Sequence, residues 1–177
     1  MNSQEIKRIT EERINQLIDE FKKYPEMFLT EEDVRSYLYH LLIQDFNKLK
    51  KCEDGSKSIP LHCEIRWYGN SRKLRLRSDI VILDVSTLRT EHNLHSKGYG
   101  FRKPCIIIET KLRRKGNESD NKFKGRVIND RDRLRKLKKE LNSTFYSYIL
   151  IFDKKNKLNF ETQNYTGNHK EYYVYPY

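Results

Sequence analysis

CIIIETKL, residues 105–112, is the run whose reading decides the fold. Its apolar residues follow one another without alternation, which suits a central strand covered on both faces. The run ends on Glu109 and Lys111, and side chains two apart on a strand share a face. An acid and a lysine therefore stand side by side at the end of a buried strand. Charged groups are rarely buried without partners. The pair reads either as a strand-end salt bridge between Lys111 and a carboxylate or as part of a chemical site.

Upstream, LHCEIRWY (61–68) reads as a strand, GNSRK (69–73) as a turn and LRLRSDIVILDV (74–85) as a second strand that turns apolar after Ser78. Asp79 opens that apolar part. Pairing of 74–85 with 105–112 brings Asp79 towards Glu109 and Lys111. Two carboxylates a few ångströms apart repel, and a hard divalent cation relieves the repulsion, so oxygen ligands of this kind suit Mg2+ or Mn2+. Residues 51–60, with Asp54-Gly55 and Pro60, read as a loop, and 86–104 as an irregular stretch.

Ile6, Ile9, Ile14, Leu17, Ile18 and Phe21 recur at helical spacing, so 3–23 reads as an amphipathic helix that Tyr24-Pro25 ends. A second helix starts at Thr30, with Asp33 completing a capping box. Its apolar stripe is Val34, Leu38, Leu41, Leu42 and Phe46. Glu31 lies on that inward face and Glu32 towards Arg35, Ser36 and Tyr39. An inward Glu31 can reach the acids at the strand ends, or it simply favours the positive end of the helix dipole. Further on, 113–121 is a polar loop and 122–141 a basic helix. FYSYILIFD (145–153) is a buried strand, 154–170 a loop or hairpin and EYYVYPY (171–177) a final strand. The order α, α, β, β, β, α, β predicts one α/β domain over 1–177, a central mixed β-sheet flanked by helices.

Lys and Arg total 36 against 25 Asp and Glu, a net charge of +11. That excess points to a polyanionic partner, nucleic acid first. Seven glycines and four prolines exclude collagen-like or low-complexity character, and 21 aromatic residues (12 Tyr, 8 Phe, 1 Trp) argue against wholesale disorder. No apolar run is long enough to span a membrane, and the N-terminal residues lack a signal-peptide core, so the expected location is cytoplasmic. Cys52, Cys63 and Cys105 lack CxxC spacing and read as reduced thiols, Cys63 and Cys105 as small buried residues. His92 and His95 form an HxxH with no further zinc ligands around it.

TEEDVRSYLYHLL (30–42), SDIVILD (78–84), IIIETK (106–111) and NDRDRLRKLKKEL with FYSYILIFD (129–153) form an ordered set that resembles the PD-(D/E)XK nuclease superfamily. The resemblance covers residues 30–153 and implies a restriction-endonuclease-like αβββαβ core. Residues 1–25 stand outside it as an extra N-terminal helical extension, and 154–177 as a C-terminal loop and strand. Ser78 stands where the family name puts proline, and 86–104 lengthens the gap between the motifs. By position, the resemblance makes Asp79 and Glu109 the metal-binding acids, with the Thr110 backbone carbonyl beside them. Lys111 becomes the lysine that orients the attacking water, and Glu31 the helix acid. Glu64 matches a further strand acid and reads equally as an exposed position on an edge strand.

The activity implied is Mg2+-dependent hydrolysis of phosphodiester bonds, Mn2+ being an alternative ion, on DNA rather than RNA. The alternatives are a catalytically inactive nucleic-acid-binding module, or a subunit, on the same fold. Arg72, Lys73, Arg75 and Arg77 precede Asp79, and Arg113, Arg114 and Lys115 follow the ExK motif, where a phosphate backbone would pass. The cations of 122–141 read instead as a solvated helix face. A homodimer suits cleavage of both strands of a duplex, and the first helix offers it a surface or just caps the core.

Overall fold

The spacing of Ile6, Ile14, Leu17, Ile18 and Phe21 gives helix α1 (Ser3–Lys23) one buried face. Asn2 caps it by accepting from the Glu5 N–H at 2.9 Å. A 3-10 turn over Pro25–Met27 leads into α2 (Glu31–Phe46). Here the expected capping box forms: Thr30 Oγ1 accepts from the Asp33 N–H (3.2 Å) and Asp33 Oδ2 from the Thr30 N–H (2.8 Å). Thr30→Ala removes one of these bonds and lowers stability by about 1 kcal/mol, while Thr30→Ser leaves it unchanged, as urea denaturation would register.

The computed structural model describes residues 1–68, 74–90, 99–100, 104–116, 118–155, 158–163 and 167–176. After α2 come β1 (Lys50–Lys51), β2 (Lys57–Ser58), β3 (Leu61–Tyr68) and β4 (Leu74–Leu83). Then follow β5 (Arg89–Thr90), β6 (Tyr99–Gly100), β7 (Pro104–Arg113), α3 (Asp120–Leu141), β8 (Tyr146–Asp153) and β9 (His169–Val174). The segments read as loop and irregular chain each carry a two-residue antiparallel ladder, β1 with β2 and β5 with β6. β4 stops two residues early because Asp84 accepts from the Ser86 N–H (3.2 Å) and turns the chain into a 3-10 turn, Val85–Thr87. β7 runs on through Arg113, α3 begins after its cap Ser119, and the last strand is 169–174 rather than 171–177.

The main sheet has five strands in the order β3-β4-β7-β8-β9. β3, β4 and β7 pair antiparallel, while β7, β8 and β9 pair parallel, so the sheet is mixed. The parallel β7–β8 pair needs a crossover, which α3 supplies. Alternation then sorts the apolar residues. Ile80, Ile82, Ile106, Ile108, Leu150 and Phe152 pack with α1 and α2 through Ile14, Phe21, Leu38 and Leu42. Val81, Ile107, Ile149 and Ile151 face Phe123, Val127, Leu134 and Leu137 of α3. The fold is α/β with helices on both faces of the sheet. Among the described residues no helix is long and apolar enough to cross a membrane.

Candidate active site

β4 and β7 pair through Ile80↔Ile108, Val81↔Ile107 and Ile82↔Ile106. One step along that register, Asp79 stands across from Glu109. Asp79 Oδ2 accepts from both the Thr110 N–H (2.8 Å) and the Thr110 hydroxyl (2.9 Å), which ties the carboxylate to the end of β7. Glu109 is only 5 % exposed. Burial first, then the charges of Asp79 and Asp130, push its carboxyl up to about 8, against smaller opposing effects of Lys111 and Arg133.

Lys111 shares that α3-facing side of the strand. Its ammonium donates to the Thr110 carbonyl (2.9 Å) and sits 2.7 Å from Asp130 Oδ2 and 3.9 Å from Glu31 Oε2. Burial alone would lower its pKa, but Asp130, Glu31 and Asp79 outweigh that and raise it, so the side chain is cationic. Lys111 is thus both a salt-bridged residue and a neighbour of the two facing acids, and its salt-bridge partner is Asp130. Glu31, at the start of α2, reaches the same strand end: Oε2 accepts from the Leu112 N–H (3.2 Å) and Oε1 pairs with Arg126 of α3. Arg126 also holds Glu118 (3.1 Å). A cavity of about 960 Å³ opens beside Glu31, lined by Glu32, Leu112, Arg114, Glu118, Lys122 and Arg126.

Glu64 takes φ 56°, in the left-handed region that costs a non-glycine residue roughly 1–3 kcal/mol. The ladder pairs Cys63↔Ile80 and Ile65↔Ser78 on either side of it, so Glu64 faces Asp79 from β3. Its carboxylate is held by Arg77 (2.6 Å) and by Arg35 of α2. Arg35 also pairs with Glu32 and lies 3.5 Å from Asp79 Oδ1. Glu64, Asp79 and Glu109 therefore line up across three adjacent strands, with a cation at each end of the row.

The basic residues divide. Arg72 and Lys73 lie outside the described residues, as do the Arg75 side chain, His92 and His95. Arg77, Arg114 and Lys115 are exposed, and Lys115 stands 2.7 Å from Glu26. Arg113 corrects its assignment to the phosphate-contacting set. β7 continues through it, alternation turns it to the α3 side, and it is 1 % exposed with its guanidinium on Asp153 (3.1 Å) and Asp120. Asp153 is fully buried and also accepts from the Tyr173 hydroxyl (2.7 Å). Asp153→Ala leaves the buried Arg113 guanidinium with Asp120 alone and takes the acceptor of the Tyr173 hydroxyl, and should lower stability by about 3 kcal/mol, whereas Arg114→Ala should leave the urea midpoint in place. Arg131 likewise leaves the solvated helix face: it is buried against Glu171 in two bonds of 2.7 and 2.6 Å. Cys63 is exposed on edge strand β3 and Cys105 only partly covered, so neither is the fully buried thiol expected.

Three participants went unread in the sequence. Arg35 stands three residues after Glu32, on the face given to that residue, and pairs with it. Asp130 stands between Val127 and Leu134 on the apolar stripe of α3 and is 2 % exposed; a lone acid in such a stripe was the available signal. Arg126 had no distinguishing signal among its basic neighbours. Among the described residues no three His, Cys, Asp or Glu side chains form a ready metal cage. Compared with known protein families, curated proteins and solved structures, the chain matches none.

Proposed function

We propose that the chain is a metal-dependent nuclease that hydrolyses phosphodiester bonds in DNA in preference to RNA, on a restriction-endonuclease-like core formed by α2, β3, β4, β7, α3 and β8. The observation that carries this reading is Asp79 facing Glu109 across β4 and β7, with a cationic Lys111 beside them. The donor chemistry fits a hard divalent ion. Asp79 and Glu109 offer oxygen only; burial first and then repulsion from Asp79 raise Glu109, and a cation relieves that repulsion. Asp79, Glu109 and the Thr110 carbonyl are the groups that would hold Mg2+ or Mn2+, and Lys111 now occupies that carbonyl.

The ion, when bound, supplies Lewis acidity towards a phosphate oxygen. The chain's own residues do the rest. Thr110 keeps Asp79 aimed at the strand end through its N–H and hydroxyl. Lys111 brings a fixed positive charge to where negative charge develops on the phosphate, and orients a water for attack. Asp130 holds that lysine in place from α3. Arg77, Arg114 and Lys115 supply exposed charge for the backbone flanking the scissile bond. A homodimer would let two such sites address both strands of a duplex.

A second reading, a catalytically inactive nucleic-acid-binding module, draws on one observation: Asp79 and the Thr110 carbonyl already have internal partners in Arg35, Thr110 and Lys111. The test is a panel of plasmid, linear duplex, single-stranded, branched DNA and structured RNA, each with Mg2+, Mn2+ or EDTA, beside Asp79→Asn. The nuclease cuts DNA faster than RNA, only with metal, and Asp79→Asn does not cut. Salt-dependent DNA binding without any cutting selects the binding module instead.

A further inference from the structure

Among the described residues Arg35 is the one guanidinium that touches carboxylates from three elements of this site: Glu32 on its own helix, Glu64 on β3 and Asp79 on β4. Its side chain is 16 % exposed, so its charge acts in a partly dehydrated setting where it is poorly screened. The backbone is bent to serve this contact. Glu64 holds a left-handed φ of 56° within β3, facing Asp79, and its two oxygens go to Arg35 and Arg77. The planar guanidinium has five donors, enough for both carboxylates at once.

Asp79 consequently has two different neighbours. Towards β7 it faces Glu109, a buried acid whose own charge is opposed by Asp79. Towards β3 it faces Glu64, and there the repulsion is already answered by Arg35. Each pair of acids is a place where one cation belongs; among the described residues Arg35 is ion-paired to both acids of one pair, while Lys111 stands near the other and pairs instead with Asp130.

We propose that Arg35 is a built-in replacement for a second divalent cation, so that this site takes one ion, between Asp79 and Glu109, and keeps the Asp79–Glu64 side closed to metal. The inference rests on the reading of Asp79 and Glu109 as a cation-holding pair. It makes Arg35 a positioning residue, acting through Asp79, and it accounts for an arginine set among Glu32, Glu64 and Asp79. It also gives Glu64 a role other than metal ligand in the native chain.

The test counts ions. Mn2+ is titrated into the full chain by calorimetry, with free Mn2+ followed by electron paramagnetic resonance, for the wild type, Arg35→Met, Arg35→Gln and Arg35→Met with Glu64→Gln. Circular dichroism checks that each is folded. Arg35→Gln keeps hydrogen-bond donors and guards against a Met variant that unfolds. The expected result is one Mn2+ in the wild type, two in the folded single variants and one in the double variant, where the facing acid is gone. Two ions in the wild type, or one in a folded Arg35→Gln, overturns the role of Arg35 while leaving the Asp79–Glu109 pair intact. No ion in the wild type or any variant overturns the underlying reading of that pair, and the inference with it. A merely structural arginine would change stability and leave the count at one.

Discussion

On the proposed nuclease reading, Lys111→Ala should lower phosphodiester cleavage by about a thousandfold while DNA binding persists, a loss typical of removing one fixed charge that meets developing negative charge. The lysine is suited to that part because three partners fix it: the Thr110 carbonyl at 2.9 Å, Asp130 at 2.7 Å and Glu31 at 3.9 Å. Those acids also hold it cationic against its burial. The variant carries a second effect that must be separated from the first. It leaves buried Asp130 with only the longer contact to Arg133 (3.4 Å), and breaking one side of a buried pair lowers stability by roughly 3 kcal/mol. Lys111→Ala with Asp130→Asn removes that stranded charge, so its melting temperature recovers towards wild type. Its cleavage does not recover. Rates from single-turnover assays in Mg2+, set beside thermal melts of both variants, make the separation, and wild-type rates in the double variant would remove Lys111 from the chemistry.

The second large effect is on the stability of the metal-free chain. Glu109 in the folded protein titrates near 8, raised by burial and by Asp79, whereas the unfolded chain releases that proton near the ordinary value of 4.5. Between those values the folded state keeps a proton that the unfolded state has lost, so stability falls as pH rises. The contribution is complete below about 4.5 and is lost once pH passes 8. At about 1.4 kcal/mol per pKa unit, its full amplitude is on the order of 5 kcal/mol. Glu109→Gln, which mimics the protonated acid, should match the wild type at pH 5 and exceed it by that order at pH 9. Urea denaturation in EDTA at pH 5, 7 and 9 measures the difference. Comparing the two proteins isolates Glu109 from groups of opposite sign such as Glu171, whose carboxyl is held near 2, burial opposing and His169, Arg131 and the Gln163 N–H prevailing, and whose stabilisation is lost in acid. Mg2+ should then stabilise the wild type more at pH 9 than at pH 6, and should leave Glu109→Gln unmoved.

Much of the site was legible because it lies at the ends of strongly patterned elements. Period two put Glu109 and Lys111 on one face, and the capping box put Glu31 at the start of a helix whose inward face it joins. Arg113 shows where that reading stopped short. Had the strand been carried one residue further, the same alternation would have turned Arg113 inward with Glu109 and Lys111. Polarity at 113–115 looked like loop, and the buried partner that makes an arginine acceptable there, Asp153, comes from 40 residues away. Arg131 was misread for the same reason, since its partner Glu171 lies on another strand.

By itself the sequence determined the helices α1, α2 and α3, the long strands and which of their apolar residues turn inward, since each follows from a period carried by consecutive residues. Only the tertiary structure decided which charges meet: Lys111 with Asp130, Arg35 with Glu64 and Asp79, Glu31 with Arg126. A periodic pattern records the face a side chain occupies and carries no distance to another element. The partner of a buried charge is set by how sheet and helices stack, and the chemistry of this site depends on those partners.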